Sequence, residues 1–594
     1  MKNFRNISLL ALLALGIWLY VKRRSPHKAT NANEKVLEMF ICANIKGIDP
    51  ACTIDNHSCG EMAKVYEGLL TYHYLKRPYE LTPNLAAAMP TVSDDQLVYT
   101  FQLKQGVKFH DNACFPGGKG RELVAEDFVY SIKRIADPKV QSTGFYLLDG
   151  RIKGLNEWRE KYIDTPAAYH EPVEGLQAID QYTLQFILTK PYPQFLYVLA
   201  RHICFAVPQE AVQHYGPAFL NHPVGTGPFM LEEFKPQANT IVYHKHPNFR
   251  VKCFPTEASE AFKHLLADAG KQLPLVDKVV MHIIPEEHPR WLKFQKGQLD
   301  YIQIPKDEFA EAITPAKGLS TALQQKEVQL HHGPSLSTYF IAFNHLNPLF
   351  RDNLKLRRAM SLAYDRQALN ELFYHGTSLV AQSIIPPGLA GYRPDYVNPY
   401  GTYDLARAKQ LLAEAGYPGG KYLPTITLDT SNSTTHRQIA EHFARCMEKL
   451  GIKIEVITNP WPALLQKVHQ SKSTMLYTMG WAAAYPDAEY MLHTLYGPNK
   501  NSGANGSNFD DAAYNVLYEQ VRVMPDSPAR TKLYEKMNQL AAEKVPLIYM
   551  VHRSDHVLHH RWLQNYVLSD FDYYGHEQYL NIDVDKKHTM QARF

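Results

Sequence analysis

Apolar and polar residues alternate loosely from Val36 to Ile41, a period of two that predicts a half-buried strand. Ile48-Asp49-Pro50 and the polar stretch from Thr53 to Gly60 interrupt the pattern and predict a loop. From Glu61 to Leu70 the apolar positions Met62, Val65 and Leu69 take helical spacing. Leu97 to Leu103 reads as a strand, Lys104-Gln105-Gly106 as a turn, and Val124 to Ile135 as a helix. Glu126 and Asp127 fall in its first turn, where acids complement the helix dipole. Farther on, Ala406 to Ala415 sets Ala408, Leu411, Leu412 and Ala415 at helical spacing and ends at Gly416, a C-terminal cap. Ile439 to Leu450 repeats the arrangement with Gly451. Strands over Ile452 to Ile457 and Leu476 to Met479 follow. This alternation of helices and strands predicts α/β domains with mixed sheets.

The N-terminus differs from the rest. Lys2 and Arg5 precede an uncharged run, Asn6 to Val21, which Lys22-Arg23-Arg24 closes. Its strongly apolar part is about 15 residues, short for a membrane span and suited to an export signal. No cysteine ends it, so a lipid anchor is not predicted. Residues 1–28 are expected to be a signal anchor that is poorly cleaved or retained.

At 594 residues the chain is too long for one core. Its net charge of +4 is carried by scattered basic residues, which excludes a nucleic-acid-binding surface as the leading expectation. The 37 tyrosines suit adaptable clefts, since each joins a rigid apolar body to a polar tip. Seven cysteines are an odd number. Cys52 and Cys59 could close a small loop, but spacing alone does not assign pairs.

Catalytic and metal-binding patterns are not found. Glu286-Glu287-His288 and His170-Glu171 lack the spacing of a helical zinc motif. His331-His332 and His559-His560 are adjacent pairs, and neighbours on a strand face opposite sides. Phe115 to Gly120 lacks the Lys-Ser/Thr ending of a phosphate cradle, and no Gly-x-Ser-x-Gly elbow occurs. No cofactor, no metal and no catalytic residue is expected. The stretch that stands out is Leu476 to Asp487, where Gly480-Trp481 is followed by Ala482, Ala483 and Ala484 and then by Tyr485-Pro486-Asp487. A glycine permits close backbone approach and a tryptophan offers a broad flat face.

Several motifs, in order, carry a family resemblance. They are Pro83-Asn84-Leu85-Ala86, Tyr99 to Leu103, Gly106 to Asn112 and Ala125 to Ser131. Pro223 to Phe229, Phe343-Asn344, Pro348-Leu349-Phe350, Leu356 to Ala359 and Ala363 to Arg366 continue the series. Pro386-Pro387-Gly388, Tyr403-Asp404 through Tyr417, Leu450-Gly451-Ile452 and Val545-Pro546-Leu547 complete it. Over this span the chain resembles the family 5 extracellular solute-binding proteins, the peptide- and nickel-type receptors of ABC importers. The resemblance implies an α/β, two-lobed periplasmic-binding-protein-like fold of three domains around a cleft. It places domain I at residues 36–67, 209–335 and 549–594, domain II at 68–208 and domain III at 336–548. Crossings between lobes are expected near Ser335 to Tyr339 and Val545 to Met550.

The resemblance also implies a function: capture of an oligopeptide or peptide-like solute and delivery to a permease, by a monomer that is not an enzyme. A receptor for a metal chelate, a glycoside or a blocked peptide is the alternative, and a hydrolase on the same scaffold is the second one. The ligand-binding candidates are Gly480, Trp481, Ala482, Ala484, Tyr485 and Asp487 on one wall, with Asp55, Asn56, His57 and Ser58 facing them and Phe340 beyond the first crossing. In peptide-binding members an aspartate that holds the ligand's α-amino group occupies the position of Ala484. The chain departs from the pattern there, which leaves Asp487 or Asp55 to supply a carboxylate, or a ligand without a free amine.

Overall fold

The computed structural model describes residues 33–593 except 54, 236–238, 315–317, 502–503 and 570–574. The expected anchor over residues 1–28 lies outside the described residues. Among the described residues, no helix is long and apolar enough to cross a membrane.

The alternation at the start of the chain becomes the strand Val36–Ile41, with every second residue buried. It runs parallel to Lys278–Ile283, and the sheet continues antiparallel through Thr240–Lys245 to Phe229–Lys235. A second sheet joins Tyr301–Gln303, Ser554–His560 and Val328–Pro334. A third joins Thr91–Val92, Val98–Gln102, Thr183–Ile187 and Leu176–Ala178, with the helix Ala125–Ala136 against it. The C-terminal segment closes on the first strand and helix. Lys35 Nζ donates to Asn581 Oδ1 at 2.8 Å, and Lys587 Nζ donates to the Val36 carbonyl at 3.0 Å. Lys64, 1% exposed, reaches Glu61 at 2.9 Å and Glu577 at 3.0 Å.

The second lobe is built on a five-stranded mixed sheet in the order Ile454–Asn459, Ile426–Ser431, Leu476–Ala482, Ser337–Phe343, Leu547–Tyr549. The helices Leu405–Glu414 and Thr434–Glu448 pack beside it, and the chain leaves them through Gly416 at φ +94° and Gly451 at φ +78°, left-handed positions that suit glycine.

Three boundaries differ from the sequence reading, each for a local reason. The first helix is Asn56–Val65, not Glu61 to Leu70. Asp55 caps it by accepting the Ser58 N–H at 3.0 Å, so the polar residues become a first turn rather than a loop. Ser433 likewise caps the helix Thr434–Glu448 by accepting from His436 N–H, and the helix starts before Ile439. The strand from Leu476 continues to Ala482 because Ser337 to Tyr339 offer it a ladder.

The first change of sheet falls between Pro334, paired with Ser554, and Ser337, paired with Ala482. The expected second crossing at Val545 to Met550 lies within the second lobe. Leu547 pairs with Ala342, and Val551–His552 pairs with Leu379–Val380. The chain changes sheet at Arg553, whose carbonyl accepts the Ser335 N–H at 2.9 Å, so the two crossings are hydrogen-bonded to each other.

All seven cysteines are among the described residues and none is joined in a disulfide; Cys59 Sγ instead meets His202 Nε2 at 3.0 Å. Burial holds several imidazoles neutral. It lowers His110 and His560 to about 3, and His493 and His552 to about 4. A histidine whose folded pKa is depressed contributes stability that is present above its unfolded pKa of about 6.5 and is lost as pH falls toward the folded value. Urea unfolding midpoints are therefore expected to be lower at about pH 5 than at about pH 7.5. The difference should narrow in His110→Gln. Equal midpoints at the two pH values would contradict this.

Candidate functional site

The strand Leu476–Ala482 brings the Gly-Trp stretch to the boundary of the two lobes. On one edge Gly480, Trp481 and Ala482 pair with Tyr339, Thr338 and Ser337. On the other edge Ile426–Ser431 pairs only with Leu476 and Tyr477, so from Met479 to Ala482 that edge has no strand partner among the described residues. Gly480 is required by its own neighbour. A Cβ there would lie 2.6 Å from the Tyr339 ring, whose hydroxyl accepts from Arg553 Nη1 at 3.0 Å. The glycine seats a ring beside the crossing.

Trp481 is half-buried. Its ring stacks on Tyr490 at 5.9 Å and meets His493 edge-on at 5.5 Å. Its Nε1–H is buried and has no acceptor among the described residues. Trp481 and Phe340 line one cavity of the second lobe, together with His469, Tyr477 and Met479. An unsatisfied indole donor beside such a space is a position that a ligand carbonyl can complete.

Ala484, 2% exposed, faces a different cavity of about 50 Å³. The first lobe supplies the rest of its wall, including Glu67, Arg201, His202, Lys252 and Gln578. Burial would push the Glu67 carboxyl up, but Arg250 outweighs it through a paired contact (Nη2 to Oε1 2.8 Å), so Glu67 sits below the usual carboxylate range. Burial lowers the Lys252 ammonium to about 7, against the favourable field of Glu67 at 3.9 Å.

The lobes meet across a set of aromatic and polar contacts. Tyr197 stacks on Tyr485 at 5.7 Å, Tyr146 OH lies 3.2 Å from Tyr490 OH, and the Arg201 guanidinium stands 5.5 Å from the Tyr490 ring centre. Gln194 Nε2 donates to Asp487 Oδ2 at 2.8 Å.

Asp487 has no capacity left for a ligand amine. Its Oδ2 also accepts from Arg530 Nη1 at 2.8 Å, and Oδ1 accepts from Tyr534 OH at 2.8 Å and the Glu489 N–H at 2.9 Å. Tyr485 is also occupied: its ring is stacked and its hydroxyl donates to Glu489 at 2.6 Å. Of the facing candidates, Asp55 and Ser58 serve the helix start. Ser58 is fully buried and its Oγ accepts the Lys46 N–H at 3.0 Å. Asn56 and His57 lie in that first turn, and Asp55, His57 and Ser58 line neither cavity. The structure thus gathers Phe340, Gly480, Trp481 and Ala482 at one place and Ala484 at a second, and assigns Tyr485, Asp487 and Ser58 to internal contacts. Sequence reading missed Gln194, Tyr197, Arg201 and Lys252. Their significance comes from pairing across 168 to 293 residues, for which no local signal exists.

Among the described residues no cluster of three or more His, Cys, Asp or Glu is placed to hold a metal. His331 Nε2 meets His559 Nε2 at 2.8 Å while His332 stacks with His556, so the adjacent pairs do face opposite sides.

The family description "Bacterial extracellular solute-binding proteins, family 5 Middle" matches residues 80–503. Heme-binding protein A of Haemophilus influenzae is 27% identical over 580 residues, covering 94% of this chain and 94% of that protein. The dipeptide-binding protein of Escherichia coli is 27% identical over 515 residues, covering 85% and 86%. In structure the chain is similar to the periplasmic binding protein DppA from Helicobacter pylori, solved in complex with the peptide STSA. The TM-score is 0.76 at 22% identity, over 92% of this chain and 98% of that one.

Proposed function

Because the chain belongs to the family 5 bacterial extracellular solute-binding proteins, we propose that it is the receptor of an ABC importer and closes its two lobes on an oligopeptide or peptide-like solute. One observation carries this reading: among the described residues, Met479 to Ala482 keep one strand edge unpaired at the lobe boundary, beside the buried, unsatisfied indole N–H of Trp481. An extended ligand can add to such an edge through its main chain while a side chain enters the adjoining cavity. Solute binding by relatives, a dipeptide-binding protein among them, supports the same class. A receptor needs no catalytic group, only ligand contacts that favour the closed state. Native mass spectrometry of the protein purified from cells tests the reading directly: a co-purified peptide supports it, and a co-purified non-peptide solute replaces it with the alternative.

Trp481→Ala is expected to weaken binding by about 2 kcal/mol, in the range of aromatic hot spots. Unchanged affinity by calorimetry would assign Trp481 to packing alone.

Selectivity follows from Ala484. A free α-amine needs a carboxylate, and none is offered at Ala484 or Asp487, while Asp55 is engaged as a helix cap. The receptor is expected to bind an N-acetylated short peptide at least as well as its free-amino form. A free-amino form tighter by more than about tenfold would mean that another acid holds the amine.

Delivery to permease subunits by a monomer, and retention on the outer face of the inner membrane through residues 1–28, complete the proposal. Cell fractionation checks the tether: mature protein beginning after Ala32 and recovered as free periplasmic material would refute it.

A further inference from the structure

We infer that the cavity facing Ala484 receives a carboxylate of the bound solute, with Lys252 as its main partner and Arg201 on the adjoining wall. This rests on the receptor reading above and adds the chemistry of one subsite.

The argument is one of charge balance in a confined space. Among the described residues Glu67 is the only acid in the cavity wall. Around it stand three cations. Arg250 pairs with Glu67 and donates to Asn84 Oδ1 at 2.9 Å. Lys252 donates to the same Asn84 Oδ1 at 3.1 Å and lies 3.9 Å from Glu67. Lys104 donates to the Asn84 carbonyl at 2.7 Å. Arg250 alone matches the charge of Glu67. The cluster therefore carries surplus positive charge in a partly desolvated site, where like charges disfavour one another and an added anion is favoured.

The opposite wall does not correct the surplus. Its contribution is Ala484, a methyl group. The nearest acids along that segment are committed elsewhere: Asp487 to four donors, and Glu489 to the hydroxyls of Tyr485 and Tyr518. An anionic group from the solute is the missing partner. A cationic group would meet Lys252 and Arg201, while Glu67 is already paired with Arg250, which agrees with the absence of an amine-binding aspartate at Ala484.

Lys252 makes the subsite sensitive to pH. The groups facing it are Glu67, which favours its charge, Arg250 and Lys104, which oppose it, Asn84, and the Tyr579 ring at 5.9 Å. Its ammonium is half deprotonated at about 7. A carboxylate beside it would favour the charged form, so binding should take up protons and weaken as pH rises through about 7.

The test uses the full-length protein and calorimetry with three probes. They are N-acetyl-trialanine, its C-terminal amide, and the same amide with a central glutamate. The carboxylate forms are expected to bind at least about tenfold tighter than the plain amide. Preference for the first or third probe tells whether a chain terminus or a side chain supplies the group. Lys252→Met should remove most of the preference for the acid over the amide and flatten its pH dependence. Arg201→Lys, which keeps the charge, should retain most of the preference. Equal affinities for the acid and amide forms would overturn the subsite while leaving the peptide reading in place. Failure of all three probes to bind would refute the peptide reading instead. Thermal denaturation with succinate then decides the subsite: a stabilisation present in the wild type and lost in Lys252→Met supports it, and no stabilisation overturns it.

Discussion

Asp487→Ala is expected to destabilise the second lobe by about 3–5 kcal/mol, the usual consequence of removing one member of a buried ion pair. The residue stood in the sequence as a possible amine ligand. In the structure it holds the lobe together. Arg530, 1% exposed on its side chain, would lose its buried carboxylate and keep Asp526, whose side chain is 86% exposed, and the Val521 carbonyl. Tyr534 and Gln194 would lose an acceptor, and the Glu489 N–H would lose its bond at the start of a short helix. The measurement is urea unfolding followed through tyrosine and tryptophan fluorescence. Arg530→Met should be destabilising in its own right, and the double variant should fall short of the sum of the two single losses, because neither charge is then stranded. A ligand-binding role would give the opposite result, with affinity lost and the unfolding midpoint unchanged.

Lys64→Met is expected to cost a similar amount, about 3–5 kcal/mol near pH 7, in the first lobe. Lys64 joins the helix Asn56–Val65 to the C-terminal segment through Glu61 and Glu577. Burial opposes charge on all three groups, and for Lys64 the fields of Glu577 and Glu61 outweigh it and keep the ammonium. Without that ammonium two buried carboxylates face each other, and each can relieve the repulsion only by taking a proton. Their folded pKa values then lie above the unfolded one, so the penalty is present at neutral pH and shrinks as pH falls. The difference between variant and wild type in urea should therefore be smaller at about pH 5 than at about pH 7. A difference that does not change with pH would assign the loss to packing of the lysine stem.

The sequence by itself determined the local elements and the family. The period-two run of Val36–Ile41, the acids opening the helix Ala125–Ala136, and the glycines beyond Leu405–Glu414 and Thr434–Glu448 each act within one or two turns of chain. Their physics is complete in a short window of residues. The ordered motifs extended that reading to a two-lobed fold and to the Gly480-Trp481 stretch. What only the tertiary structure decided were partners. Leu476–Ala482 is longer than its apolar run because Ser337–Phe343 lies beside it. Asp487 is structural because Arg530, Tyr534 and Gln194 reach it, the last from 293 residues away. Ala484, by contrast, could be read in the sequence only as a missing acid. Which charges face it depends on Glu67, Arg201, Arg250 and Lys252 converging on one desolvated space. Spacing, caps and turns are short-range and leave a mark in the order of residues. The fate of a charge is set by whatever neighbours and burial the closed chain brings to it, and those have no local signature.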